Sequence, residues 1–184
     1  MLKYVILLVA LLLSNQTYAS NTEIIVDRTS HTLTLIKNGE IIKQYDVIIG
    51  RKTTPTPAFD TTFTTIDINP YWHPTAKSID EFYKHPELIE HYGVIFDNNN
   101  VYAPPSSKNP LGKARLNLKY SLRIIRIHGT SQPELFQTSR RDYSSGCTRV
   151  LHIRDLVGEL YSGYIDWNRS YTIKLSEPVD VSVR

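Results

Sequence analysis

Between Thr22 and Ile68, apolar and polar positions alternate over several stretches at the two-residue period of strands with one buried face. Thr22 to Arg28 is β-branched and apolar at its centre, which predicts a strand. His31 to Lys37 sets Leu33 and Leu35 against Thr32, Thr34 and Ile36 and predicts a second. Asn38-Gly39 supplies the strongest short hairpin signal and returns the chain as a third strand over Glu40 to Ile49. Gly50 to Pro57 is a turn-rich loop, and Phe59 to Ile68 reads as a fourth strand ending at Asn69-Pro70.

The middle changes period. Ser78-Ile79-Asp80-Glu81 has capping-box spacing and predicts a short helix through His85, with Pro86 opening and Gly93 closing a second turn. Val94 to Phe96 and Val101 to Ala103 flank a turn at Asp97 to Asn100, and Pro104 to Asn109 is irregular. Leu122 to His128 is apolar enough for a buried strand, and Ser131 to Glu134 predicts a capped helix through Phe136. Ile153, Leu156, Val157 and Leu160 recur at helical spacing. Tyr171 to Leu175 and Val179 to Val183 read as two closing strands. Hairpins and meanders without βαβ alternation imply a mostly β fold, an antiparallel sheet sandwich with a few short helices at its margins.

Residues 1–19 read as an export signal: Lys3, an apolar run from Tyr4 to Leu13, and a polar end at Thr17-Tyr18-Ala19 with small residues where a signal peptidase reads. The run is about half of the roughly 20 residues that span a bilayer. The expectation is cleavage, a single domain over 20–184 without a membrane span, and delivery to the periplasm or cell envelope. No cysteine near the cut supports lipid attachment. The net charge of +3, or +2 without Lys3, is small and scattered, which argues against a nucleic-acid partner. A monomer is expected.

Cys147 is the single cysteine. An exported protein pairs its cysteines, so a lone thiol is either buried or put to use. It follows Ser144-Ser145-Gly146, small residues that suit a sharp bend presenting a side chain. His128 ends an apolar run upstream. A thiol and an imidazole are the minimal kit for acyl transfer through a thioester, and side chains on adjacent strands about 4.8 Å apart can meet. The amides of Gly146 and Cys147 are candidate oxyanion donors. Arg149, on Cys147's face if the segment alternates, has a fork suited to a substrate carboxylate. Thr130, Ser144 and Ser145 flank the pair and complete the expected substrate contacts. Each residue alone has an ordinary reading, Cys147 as a small buried hydrophobe and His128 as a satisfied core histidine.

Together, Ile127-His128-Gly129-Thr130 and Ser144-Ser145-Gly146-Cys147-Thr148-Arg149-Val150, with Asp155-Leu156 beyond, resemble the L,D-transpeptidase catalytic domain family, in its Ser-Ser-Gly-Cys-x-Arg branch. Val47 to Arg51 running into Thr54-Pro55-Thr56-Pro57 and Asn69-Pro70-Tyr71-Trp72 add weaker support. The resemblance implies a cysteine enzyme of peptidoglycan with no metal or organic cofactor. Cys147 is the implied nucleophile and His128 the base and later acid, oriented by the Gly129 carbonyl. The cysteine attacks the stem peptide at its third residue, releases D-alanine, and passes the acyl group to the amine of a neighbouring stem. Carbapenem β-lactams are the implied covalent inhibitors. Many members carry histidine where this chain has Ser145, and 72–108 resembles a shortened lid-like insertion. The alternatives are an L,D-carboxypeptidase or a wall-lipoprotein amidase using the same acyl-enzyme, and a non-catalytic wall-binding module.

Overall fold

A computed structural model describes residues 21–98, 100–119 and 125–184. The expected export signal and the Leu122–Ile124 part of the predicted buried strand lie outside the described residues. The opening meander is β1 (Thr22–Asp27), β2 (Thr32–Lys37) and β3 (Glu40–Gly50), antiparallel throughout. Leu33 and Leu35 are fully buried, as the alternation requires. The β2–β3 turn takes φ of 52° at Asn38 and 81° at Gly39, the left-handed pair of a tight hairpin.

The remaining strands are β4 (Phe59–Ile68), β5 (Ile95–Asp97), β6 (Asn100–Tyr102), β7 (Ala114–Leu118), β8 (Ile127–His128), β9 (Asp142–Ser144), β10 (Thr148–Val150) and β11 (Tyr171–Val183). The main sheet runs β10-β8-β7-β4-β11-β1-β2-β3, and β3 pairs back onto β10 through Ile48 with Arg149 and Val47 with Val150. The sheet therefore closes on itself around one core, to which α3 (Ile153–Leu160) adds Ile153, Leu156 and Val157. The mostly β, sandwich-like fold is the one expected. Most neighbours are antiparallel, but β1–β11, β8–β10 and β3–β9 are parallel. These pairs join segments distant in the chain, which no hairpin constrains to run antiparallel.

Two expectations are corrected, and one strand was not foreseen. The two closing strands are one, β11, with a register shift between Lys174 and Val179. Pro178, which has no N–H for the ladder, falls inside that shift. Strand β7, which was not foreseen, alternates Ala114, Leu116 and Leu118 with Arg115 and Asn117. Both reach Asp67 on β4, Arg115 in an ion pair and Asn117 through Nδ2 at 2.8 Å. Helix α1 (Ala76–Lys84) starts earlier than Ser78. Thr75 is its N-cap and takes the Ser78 amide on its hydroxyl at 3.2 Å, while Glu81 pairs with Lys84 at 3.1 Å instead of completing a box.

Helices α1 and α2 (Glu87–Tyr92) and the β5–β6 hairpin form a cap inserted between β4 and β7. Gly93 ends α2 at φ 63°, as expected of its position. Phe82, Val94 and Ala103 make a separate small core, with Trp72 packed edge-on against Tyr92 at 5.6 Å. Trp72 and Ala103 close the base of the cap with two backbone hydrogen bonds of 3.0 and 2.8 Å. Below them Asn109 is wholly buried. Its Nδ2 donates to the carbonyls of Pro70, Ala103 and Pro104 at 3.0, 3.0 and 3.1 Å, and its Oδ1 accepts from the Leu111 amide at 2.9 Å. Both edges of the cap therefore hang on one side chain. Asn109→Ala is expected to cost about 2–3 kcal/mol through the buried partners it strands. The shift in urea midpoint measures it, and early proteolytic cuts should fall within 72–103.

Candidate active site

The site grows from the parallel pairing of β8 and β10. Ile127 lies beside Thr148 and His128 beside Arg149. In a parallel pair, partners point to the same face and alternate positions share it. His128 and Arg149 thus share one face with Cys147, two residues before Arg149. One step back along the ladder, Cys147 lies beside Arg126, whose carbonyl accepts from the Thr148 amide at 2.9 Å. The opposite face carries Ile127, Thr148 and Val150 into the core. His128 and Cys147 are diagonal neighbours, a spacing of about 7–8 Å along the backbone that side chains can close. Among the described residues no direct hydrogen bond joins their side chains.

His128 is 4% exposed. Its Nδ1 lies 2.7 Å from the Gly129 carbonyl. A carbonyl only accepts, so Nδ1 carries the proton and Nε2 keeps a lone pair. Burial, then the charge of Arg149, pushes the imidazole pKa down to about 3, against the opposing effect of the Gly129 bond. A Cβ on Gly129 would lie 2.7 Å from Ile153 Cγ2, so helix α3 presses directly on the residue that orients the ring.

Cys147 is a half-buried free thiol. Burial raises its pKa, opposed by a backbone hydrogen bond from Arg126 and by the charges of Arg126 and Arg149. At neutral pH the resting pair is thus a neutral thiol and a neutral imidazole. The imidazole can take a proton from sulfur as sulfur attacks. The thiol faces a pocket of about 280 Å³ lined on the ring side by Arg51, Thr54, Arg126 and Ser145. From the cap, Lys77 and Glu81 of α1 line the same pocket.

The loop carrying the thiol is clasped from behind. Gly146 sits at φ 119°, and a Cβ there would lie 2.7 Å from Ile125 Cδ1. Its carbonyl accepts from the buried Thr56 hydroxyl at 2.8 Å, and that hydroxyl in turn accepts from the Gly50 amide at 2.8 Å. The Ser144 carbonyl accepts from the Arg51 amide at 2.9 Å. A Cβ on Gly50 would lie 2.2 Å from the Thr54 carbonyl oxygen, so the clasp requires glycine there.

The expected contacts separate. The Gly146 amide donates to Ser144 Oγ at 3.0 Å, so it is not free for an oxyanion, whereas among the described residues no acceptor takes the Cys147 amide. Ser144 is buried and its hydroxyl donates to the Cys147 carbonyl, which makes it a brace of the loop. Ser145 is exposed in the pocket. Thr130 stands apart, lining another cavity with His152 and taking the Gln132 amide on its hydroxyl at 2.9 Å. That bond replaces the expected Ser131 cap, and the segment beyond is a 3₁₀ turn over Pro133–Gln137. Arg149 donates to Gln132 Oε1 at 2.9 Å, which fixes its guanidinium beside His128. Arg126 and Thr56 were not foreseen. Arg126 has a signal, its two-residue spacing from His128; Thr56 has none beyond its turn-rich loop.

The family model for the L,D-transpeptidase catalytic domain (YkuD) matches residues 21–171. The chain belongs to this family. An inferred L,D-transpeptidase of Haemophilus influenzae is 28% identical in an alignment of 152 residues that covers 69% of this chain and 31% of that protein. The chain thus spans about a third of that relative. Among solved structures, an L,D-transpeptidase from Mycobacterium smegmatis superposes with a TM-score of 0.51 at 15% identity, over 88% of this chain and 58% of that one. The L,D-transpeptidase LdtMt1 in complex with imipenem gives a TM-score of 0.50 at 12% identity, over 88% and 59%. At such identities the likeness is one of fold.

Two outcomes follow from the site's construction. Thr56→Val keeps shape but strands the Gly50 amide and the Gly146 carbonyl, an expected loss of about 1–3 kcal/mol in urea denaturation. Cys147 should then alkylate faster as its loop loosens. His128 is harder to protonate folded than unfolded, so its contribution is intact above pH 6.5 and is lost as pH falls from there toward about 3. The urea midpoint should drop between pH 6.5 and 5, before the carboxylates with lowered pKa, Asp27, Glu81, Asp142 and Asp155, begin to protonate. The slope is at most about 1.4 kcal/mol per pH unit, and His128→Asn should flatten that window.

Proposed function

We propose that this protein is a peptidoglycan L,D-transpeptidase acting in the cell envelope, with Cys147 as nucleophile, His128 as its base and 72–108 as a lid over the donor. One observation carries this reading: a free thiol and an imidazole with an available Nε2 share a strand-pair face beside an open pocket. Family membership supports the acyl-transfer chemistry and a stem-peptide substrate.

In the first step Cys147 Sγ bonds to the carbonyl carbon of the third stem residue, and its proton passes to His128 Nε2. The Gly129 carbonyl holds the imidazolium through Nδ1–H, as a carboxylate does in other triads. The Cys147 amide donates to the developing oxyanion. The carbon–nitrogen bond to D-alanine breaks, and the amine leaves with the proton from Nε2. In the second step the amine of a neighbouring diamino acid attacks the thioester. Its proton goes to Nε2 and then to the departing sulfur, which restores the thiol. Because the resting pair is neutral, each half-reaction begins without a charge to desolvate.

Incubation with tetrapeptide-bearing muropeptides tests this directly. Cross-linked dimers plus free D-alanine are expected, whereas tripeptide monomers alone would establish hydrolysis. LdtMt1 has been solved with imipenem bound, and a carbapenem is the matching probe here. Intact mass should show one adduct on the wild type and none on Cys147→Ala, and His128→Asn should slow acylation by about 10²–10⁴-fold. A wild type with neither dimers nor adduct would overturn the assignment.

A further inference from the structure

The pocket over Cys147 is electrically lopsided. Arg51, Lys77 and Arg126 line it, against one acid, Glu81. Glu81 is already engaged, 3.1 Å from Lys84 outside the pocket. Arg51 and Lys77 are exposed and hydrated, and their charges cost little. Arg126 differs. It is half-buried, and among the described residues its guanidinium has neither an ion pair nor a hydrogen bond to a side chain or carbonyl. The ionisable groups near it are another cation, Arg115, whose own partner is Asp67, and Cys147, whose thiol is uncharged at rest. A guanidinium held partly out of water, beside a like charge and without an acid, is an expensive arrangement unless an anion completes it.

Register says where that anion lies. Arg126 stands beside Cys147 across the β8–β10 pair, on the face that carries the thiol. Neighbouring strand positions are about 4.8 Å apart, so the flat fork of Arg126 reaches a carboxylate within about one residue of the attacked carbonyl. Arg149 is not equivalent, since Gln132 holds its guanidinium on the His128 side.

We infer that Arg126 is a specificity-determining residue that binds a carboxylate flanking the attacked carbonyl, so that the pocket selects donors with free acids and discriminates against amidated ones. The inference rests on the transpeptidase reading for the identity of the donor. Two carboxylates fit the position. One is the terminal carboxylate of the departing D-alanine. The other is the second carboxylate of a diamino diacid at the third stem position. Bound there, either also offsets the Arg126 charge that lowers the Cys147 pKa, so the seated donor favours the protonated thiol.

The test measures binding without turnover, in full-length Cys147→Ala protein, by calorimetry with three tetrapeptide donors. One has both acids free, one carries a terminal D-alanine amide, and one carries a carboxamide on the diamino acid. The free-acid donor should bind about 10- to 100-fold more tightly than one of the two amides. That amide identifies the carboxylate. Adding Arg126→Gln should bring the ratio near one, and Arg126→Lys, which keeps charge but loses the fork, should leave a reduced ratio that falls further with salt. If Arg126→Gln does not fold, the Arg126→Lys ratio decides. Equal binding of all three donors, no binding of any, or an unchanged ratio in the Arg126 variants would overturn the inference. Turnover with no discrimination sinks this inference alone; discrimination in a protein that forms no dimers sinks only the transpeptidase reading.

Discussion

The parallel pairing of β8 with β10 is the constraint from which the site follows. The two strands hold five residues between them, yet they set which side chains share a face and which enter the core. A slip of one residue would turn Cys147 and His128 toward the apolar core and turn Ile127 and Val150 out of it. Slippage is resisted from three directions: β3 pairs with the outer edge of β10, β7 pairs with β8, and the Thr56 hydroxyl fixes the Gly146 carbonyl just ahead of the thiol. Most of the ring can be read as support for that registration.

Within this frame the electrostatics favour neutrality. Burial lowers the pKa of His128 and raises that of Cys147, and the surrounding arginines act on both. Arg149 opposes an imidazolium while favouring a thiolate. The combination keeps the imidazole unprotonated and leaves the thiol uncharged at neutral pH. It differs from a preformed ion pair, in which the sulfur is permanently reactive toward oxidants.

Local patterns were legible where a single face is buried or a turn has a demanding conformation. Leu33 and Leu35 announced β2, Asn38-Gly39 announced its turn, and the apolar positions of α3 announced its buried side. The Cys147 and His128 candidates were legible because both sit in compact motifs. Strand β7 alternates as a strand should, but over only five residues beside an irregular segment, and its partner Asp67 comes from another part of the chain. Closure of the ring was hidden for a related reason: Ile48 beside Arg149 joins residues about a hundred positions apart, and no local spacing encodes that. The oxyanion expectation failed at Gly146 for a short-range reason, since the Ser144 hydroxyl two residues earlier claims its amide. Arg126 reads as one more surface arginine until register places it beside the sulfur.

Strand β11 lies between β1 and β4, with Val181 beside Ile24 on one edge and beside Thr61 on the other. The first meander can form from nearby residues, but its outer edge stays unpaired until a segment some 150 positions downstream arrives to cover it. Loop closure over that length is slow relative to local hairpin formation. During that interval β1 presents an open row of amides and carbonyls to any passing chain. The ring thus acquires its protection against aggregation late in assembly, and a partner that shields β1 would act on folding yield while leaving the finished molecule untouched.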